Sequence, residues 1–240
     1  MQLVKPYNTD RSKKDEVAAM FDNISGKYDF LNHFLSLGID KLWRKKAVKM
    51  LKPYHPKIIL DVATGTGDFA IEALKLKPEK IIGIDISAGM LEKGKQKMQQ
   101  KNVSHIVEMI KADSENLPFS DNTFDALTVA FGIRNFENLH KGLTEMLRVV
   151  KPAKPILIIE FSKPKKFPVK QVFGFYSKTI IPKVGKAISK DTAAYQYLPD
   201  SVAAFPEGDE LVNILQQIGY KNVMVKSLSG GIASIYIGVK

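Results

Sequence analysis

The segment from Ile58 to Asp68 restricts the fold more than any other. Ile58 to Val62 is a short apolar run, read as a buried strand. It breaks into Ala63-Thr64-Gly65-Thr66-Gly67, and a helix opens at about Asp68 and runs to Leu76. Two glycines let the backbone turn sharply and let a ligand approach without a Cβ in the way. The helix start beyond them offers free amides. Ile81 to Ile86 reads as a second strand, and Ser87 is placed to cap the next helix, where Met90 and Leu91 supply apolar contacts. His105 to Ile110, Phe124 to Ala130 and Ile156 to Phe161 are three more strands, with a helix from about Leu139 to Val149 between the last two. Strands alternating with helices predict a parallel sheet covered on both faces.

The two ends depart from that rhythm. Residues 15 to 50 are expected to be helical, since Val17, Met20, Phe21, Ile24, Tyr28 and Leu31 recur at helical spacing. At the other end, a helix over Asp209 to Ile218 stops at Gly219. Lys221 to Ser227 and Ala233 to Val239 then read as strands joined through Ser229-Gly230-Gly231, so a hairpin makes the sheet mixed. The stretch 163–206, rich in proline, lysine and aromatics, reads as an insertion over the active face. At 240 residues the chain suits one domain. Its parts are a helical cap (1–57), a ligand-binding core (58–162), the insertion (163–206) and a closing helix and hairpin (207–240).

Asp85 follows Gly67 by eighteen residues and ends the second strand. A carboxylate there accepts hydrogen bonds from both hydroxyls of a ribose. These features leave the cofactor open, because Gly65-x-Gly67-x-x-Ala70 also satisfies a dinucleotide fingerprint. On the glycines alone a methyltransferase and a dehydrogenase stand level. Three later features favour the methyltransferase. Asp113-Ser114, followed by Leu117-Pro118-Phe119, puts a carboxylate where an adenine amino group needs an acceptor, although a turn aspartate reads the same in isolation. Val129-Ala130-Phe131-Gly132 lies beside the expected crevice. The terminal hairpin matches the closing strands of a seven-stranded sheet. The expected fold is therefore α/β: a Rossmann-like class I S-adenosylmethionine-dependent methyltransferase, mostly parallel with one antiparallel strand.

The chain also resembles a known family from about Val17 onward, the quinone-biosynthesis C-methyltransferases that act on demethylmenaquinone and polyprenyl-benzoquinol. The resemblance is carried by Lys27-Tyr28-Asp29 with Asn32, Leu42-Trp43, and Gly65-Thr66-Gly67-Asp68. Leu117-Pro118-Phe119-x-x-Asn122-x-Phe124-Asp125 and Phe131-Gly132-Ile133-Arg134-Asn135 carry it further. Glu160-Phe161-Ser162-Lys163-Pro164 and Tyr195-x-Tyr197-Leu198-x-x-Ser201 complete it. The glycine loop is common to many methyltransferases, whereas the Phe-Gly-x-Arg-Asn and Glu-Phe-Ser-Lys-Pro segments are far more specific. Beside the loop glycines Gly65 and Gly67 that the turn itself singles out, the resemblance implies cofactor contacts at Thr66, Asp85, Asp113 and Ser114. Relatives often carry Asn-Ala at the last pair, and some carry serine where this chain has Ala130, so the positions persist with changed groups.

The implied reaction needs no metal and no nucleophile, because a methyl on a sulfonium is already electrophilic. It needs alignment, exclusion of water, and a base or cation beside the ring hydroxyl of a quinol. Arg134 is the candidate cation, against a surface ion pair. Asn135 is its partner in holding a water, or else a helix N-cap. Tyr28 is expected at the acceptor, or packed in the core. His33 is a candidate base with a structural role ahead of it. His55, His105 and His140 show no metal-ligand spacing, so no metal site is expected.

The absence of cysteine excludes disulfides and thiolate chemistry and fits the cytosol. Met1 to Asp10 has no signal-peptide pattern, and no apolar run approaches the roughly 20 residues that span a bilayer. The net charge of +11 draws the chain toward polyanions, against a reading as solvated lysines. In the insertion, Phe167, Val169, Val172, Phe173, Phe175, Tyr176, Ile180 and Ile181 interleave with Lys166, Lys170, Lys178 and Lys183. That pattern suits the tail of a polyprenyl quinol or peripheral contact with the inner face of the cytoplasmic membrane; an ordinary packed insertion is the competing reading. No nucleic-acid partner is expected, and a homodimer is left open.

Overall fold

A computed structural model describes residues 4–26, 36, 38–176, 179 and 192–240. Helix α1 (Lys13–Ile24) and helix α2 (Ile39–Leu51) precede β1 (Ile58–Val62). There follow α3 (Asp68–Ala73), β2 (Lys80–Asp85), α4 (Ala88–Gln100), β3 (Val107–Lys111), β4 (Ala126–Ala130), α5 (Leu139–Val149) and β5 (Pro155–Phe161). The insertion holds α6 (Val169–Phe175) and α7 (Thr192–Ala204), and α8 (Asp209–Ile218), β6 (Lys221–Leu228) and β7 (Ala233–Val239) close the chain.

The sheet has seven strands in the order β3-β2-β1-β4-β5-β7-β6. β1 pairs in parallel with both β2 and β4, while β7 alone runs against its neighbours β5 and β6. The chain reverses direction across the sheet between β1 and β4, and a crevice opens there at the strands' carboxyl ends. Side chains alternate through β1. Ile59 enters a core under α2 and α3, and Leu60 enters a second core under α5 and α8. A third cluster joins Val17 and Met20 of α1 to Ala194 and Tyr197 of α7, so the N-terminal helix and the insertion pack on each other.

The expected strands are present with shifted ends. β3 begins at Val107 rather than His105, and Phe124 pairs singly with Val150 before β4 starts at Ala126. The helical expectation for 15–50 resolves into α1 and α2 within the described residues. Gly38 stands before α2 in a left-handed conformation. Tyr28, Leu31 and His33 lie outside the described residues, as do Ile180 and Ile181.

Candidate active site

The glycine loop is held by a buried carboxylate. Thr64 Oγ1 donates to Asp61 Oδ2 and Thr128 Oγ1 to Asp61 Oδ1, each at 2.6 Å. Burial pushes the Asp61 carboxyl up to about 6, against those two bonds and the Arg44 cation. Gly65 N–H then donates to Asp85 Oδ2 at 2.8 Å and Ser87 N–H to Asp85 Oδ1 at 2.9 Å. Burial raises the Asp85 carboxyl as well. Ala63 and Phe131, both non-glycine, adopt left-handed φ of 50° and 59°, the kind of local strain that gathers at binding sites. The two loops touch: a Cβ on Gly132 would lie 2.5 Å from Ala63 Cβ.

Between these loops lies a cleft of about 680 Å³, its open mouth included. Gly65, Asp85, Ile86, Met90, Asp113 and Ser114 line one end, and Ala130, Phe131, Gly132 and Asn135 line the other. Lys14, Val17 and Phe21 of α1 form a roof. Backbone N–H groups of the loop and of the turn after β2 hold the Asp85 carboxylate in place, and its two oxygens keep acceptor capacity for a ligand's vicinal hydroxyls. Ile86, Met90 and Ala112 offer an apolar bed for a flat ring. The donor set fits a nucleoside. Asp113 is not idle: Lys14 Nζ donates to its Oδ2 at 2.5 Å and Glu115 N–H to its Oδ1 at 2.9 Å. The roof is tied down at its other end too, because Asp22 Oδ1 accepts from Ser87 Oγ at 2.6 Å and from Gly89 N–H at 2.8 Å.

Behind the far end of the cleft, Arg134 is buried and donates through Nη1 to the Phe131 carbonyl and to Glu160 Oε1 at 2.9 Å. Its guanidinium sits 5.4 Å from the Phe161 ring centroid. Its Nε is buried and has no partner among the described residues. Tyr197 Oη donates to Asn135 Oδ1 at 3.1 Å, and burial pushes that phenol up to about 12. Lys13, buried, donates to the carbonyls of Arg134 and Phe136, both at 2.9 Å. Burial, with the Arg134 cation second, brings its ammonium down to about 8. Phe131 stacks on Phe161 at 4.4 Å between centroids, and Trp43 packs edge-on to Phe161 at 6.3 Å.

The structure therefore gathers Gly65, Asp85, Asp113, Ser114 and Asn135 around one cleft and leaves three expected residues behind it. Thr66 is buried and its hydroxyl accepts from Lys97 Nζ at 3.0 Å. Gly67 has a left-handed φ of 85°, and a Cβ there would meet the tip of Met98 rather than the cleft. Arg134 is paired inside the protein. Asn135 is no helix cap; Asn138 has that role, accepting from Lys141 N–H at 3.0 Å. Tyr28 lies outside the described residues. Sequence reasoning passed over Lys13, Lys14 and Asp22, whose partners lie 65 to 124 residues away. Glu160 and Tyr197 sat in recognised motifs without an assigned role.

Comparison with known proteins now decides the kinship. The model of the ubiE/COQ5 methyltransferase family matches residues 9–240. The chain belongs to the ubiE/COQ5 methyltransferase family. A demethylmenaquinone methyltransferase of Bacteroides fragilis is 50% identical over 240 residues, covering 100% of this chain and 98% of its own. A ubiquinone/menaquinone biosynthesis C-methyltransferase of a Geobacter species is 44% identical, covering 95% of this chain and 97% of its own. A solved S-adenosylmethionine-dependent methyltransferase of Thermotoga maritima, described as a possible histamine N-methyltransferase, aligns with a TM-score of 0.64. At 20% identity over 93% of this chain and 99% of that one, it speaks for the fold alone.

Within this ubiE/COQ5 member the quoted motifs divide by role. The segment Leu117 to Asp125 is architecture. Arg148 donates to the carbonyls of Leu117 and Phe119, at 3.0 and 2.8 Å. Asn122 takes a left-handed turn, and Asp125 Oδ2 accepts from Ile58 N–H at 2.9 Å at the start of β1. The segment around Phe131 instead builds the far wall of the cleft, and the segment around Glu160 backs it through Arg134 and Phe161.

Proposed function

We propose that the chain transfers the methyl group of S-adenosyl-L-methionine to a ring carbon of a polyprenyl quinol, with demethylmenaquinol the first-choice acceptor. The carrying observation is one cleft that joins a nucleoside-type end, at Asp85 and Asp113, to an aromatic end, at Phe131 and Asn135. The family membership and the full-length relative named for demethylmenaquinone support the acceptor. The sulfonium supplies an activated methyl. Asp85 holds the ribose hydroxyls, Ser114 and the Asp113 region face the base, and α1 keeps water from the cleft.

At the acceptor end, Glu160 offsets much of the Arg134 charge, so Arg134 acts as a fixed donor rather than a bare cation. Its Nε–H, buried behind the cleft wall without a partner among the described residues, is the donor left for a bridging water. Asn135 lines the cleft itself, oriented by Tyr197 and with its amide nitrogen 3.4 Å from the Phe131 carbonyl. Calorimetry should show binding of S-adenosylhomocysteine and none of NADH; the reverse removes the reading. Labelled cofactor with reduced demethylmenaquinone, and with a demethoxy-benzoquinol analogue, should give a ring-methylated product, faster with the naphthoquinol. Arg134→Ala should lower kcat by about 10²-fold, and an undiminished rate would remove Arg134 from the mechanism.

A further inference from the structure

The positive charge of this chain is not spread evenly. Residues 41–60 hold six lysines and Arg44 with no carboxylate, and residues 161–190 hold eight lysines with no carboxylate. Together they take 15 of the 36 basic residues and none of the 25 acidic ones. The remaining chain, 21 basic against 25 acidic, is net negative. Every unit of the net charge thus comes from two segments.

The fold brings the described parts of those segments, 41–60 and 161–176, to one place. Trp43 of α2 donates its indole N–H to Ser229 Oγ at 2.9 Å and packs against Phe161. The turn that holds Ser229 abuts the start of α6, where a Cβ on Gly230 would lie 2.8 Å from Val169. Lys41, Lys45 and Lys49, four residues apart, share the exposed side of α2, whose inner side buries Trp43, Ala47 and Val48. Beside α6, Lys165, Lys166 and Lys170 are exposed. Lys165 lies 3.8 Å from Glu207.

Amid this charge the chain leaves large apolar side chains in solvent: Phe167 is 80% exposed, Val172 66%, Phe175 64% and Leu42 60%. Lysines alone would suit any polyanion. Aromatic and aliphatic side chains standing free among them suit a surface that has both anionic headgroups and a hydrocarbon interior. We infer that the α2 and α6 face is a docking surface for an anionic phospholipid bilayer. It lies against the Trp43, Phe131 and Phe161 cluster, whose Phe131 also lines the cleft, so docking sets the aromatic end of the cleft beside the lipid. The inference rests on the surface itself and not on methyl transfer.

The test is co-sedimentation of the full chain with vesicles of phosphatidylcholine alone or mixed with phosphatidylglycerol, read without turnover. The chain should bind the mixed vesicles far better, with binding weakened by salt. Phe167→Ser with Phe175→Ser should lower the partition coefficient about tenfold, and Lys165→Gln, Lys166→Gln and Lys170→Gln together should flatten the salt dependence. Met224→Ser, at the exposed edge strand, should change nothing. Trp43 is the sole tryptophan and is buried, so Phe175→Trp gives a conservative reporter whose emission should shift to the blue on mixed vesicles. Equal binding to both vesicle types, an unshifted reporter, or serine variants that bind like the parent would overturn the inference. So would duplex DNA bound as tightly as lipid and indifferent to the serine changes, or a dimer in solution that the serine changes break.

Discussion

Asp61 shows how one buried side chain sets conditions for the whole site. Its two hydroxyl partners come from the glycine loop and from β4, so it ties together the two sides of the crevice. Its folded pKa, about 6, stands above the ordinary carboxylate value of 3.8. The folded state therefore holds this proton more tightly, and its contribution to stability is lost as pH rises from about 4 through 6. Urea unfolding across that range should show the parent losing up to about 3 kcal/mol from this group, at 1.36 kcal/mol per pKa unit. Asp61→Asn, able to bond both hydroxyls, should have a flatter profile. Gly67 makes a second case. Its φ is 85° and a side chain there would overlap Met98. Gly67→Ala should cost about 1–3 kcal/mol in denaturant melts. The glycine was legible in the sequence, but its reason was not, since ligand approach and helix packing demand the same residue.

At the scale of elements, α1 is the one whose role the sequence left open. Its apolar spacing, Val17, Met20 and Phe21, announces a buried face but not what covers it. The structure answers with α7 below and the cleft beside it. Two polar fastenings set its angle: Lys14 to Asp113, and Asp22 to the start of α4. Asp22 acts there as a helix cap supplied from another helix, joining Ser87, which caps from within. Asp22→Ala should leave the fold intact and weaken S-adenosylhomocysteine binding about tenfold by calorimetry, because a charge-assisted bond is worth about 1.5–3 kcal/mol. Unchanged affinity would mean that α1 roofs the cleft without holding it shut. The strands were easier to read. β1, β4 and β5 are buried on both faces and spell themselves as mainly apolar runs, each broken by one polar residue, Asp61, Thr128 and Glu160. β6 was legible for a different reason, the glycine turn after it, since most of its own residues are exposed.

For the molecule as a whole, the closing hairpin matters more than its place at the chain's end suggests. β7 is buried almost throughout and lies between β5 and β6, so it covers the edge that β5 would otherwise present. Cutting the chain before Lys221 should abolish cooperative thermal unfolding by circular dichroism; a sharp transition in the shortened chain would show that the first five strands hold the core alone. By itself the sequence determined the class of fold, the list of strands and the loop that faces the ligand. Those follow from local rules, namely period of burial, turn chemistry and capping within a few residues. Tertiary structure alone decided that Arg134 faces Glu160, that Lys14 occupies Asp113, that Thr66 turns to Lys97, and that the described parts of two lysine-rich segments meet through Trp43 and Phe161. A polar side chain takes its direction and its charge state from whichever groups the fold carries to it, and those groups stand tens of residues away along the chain.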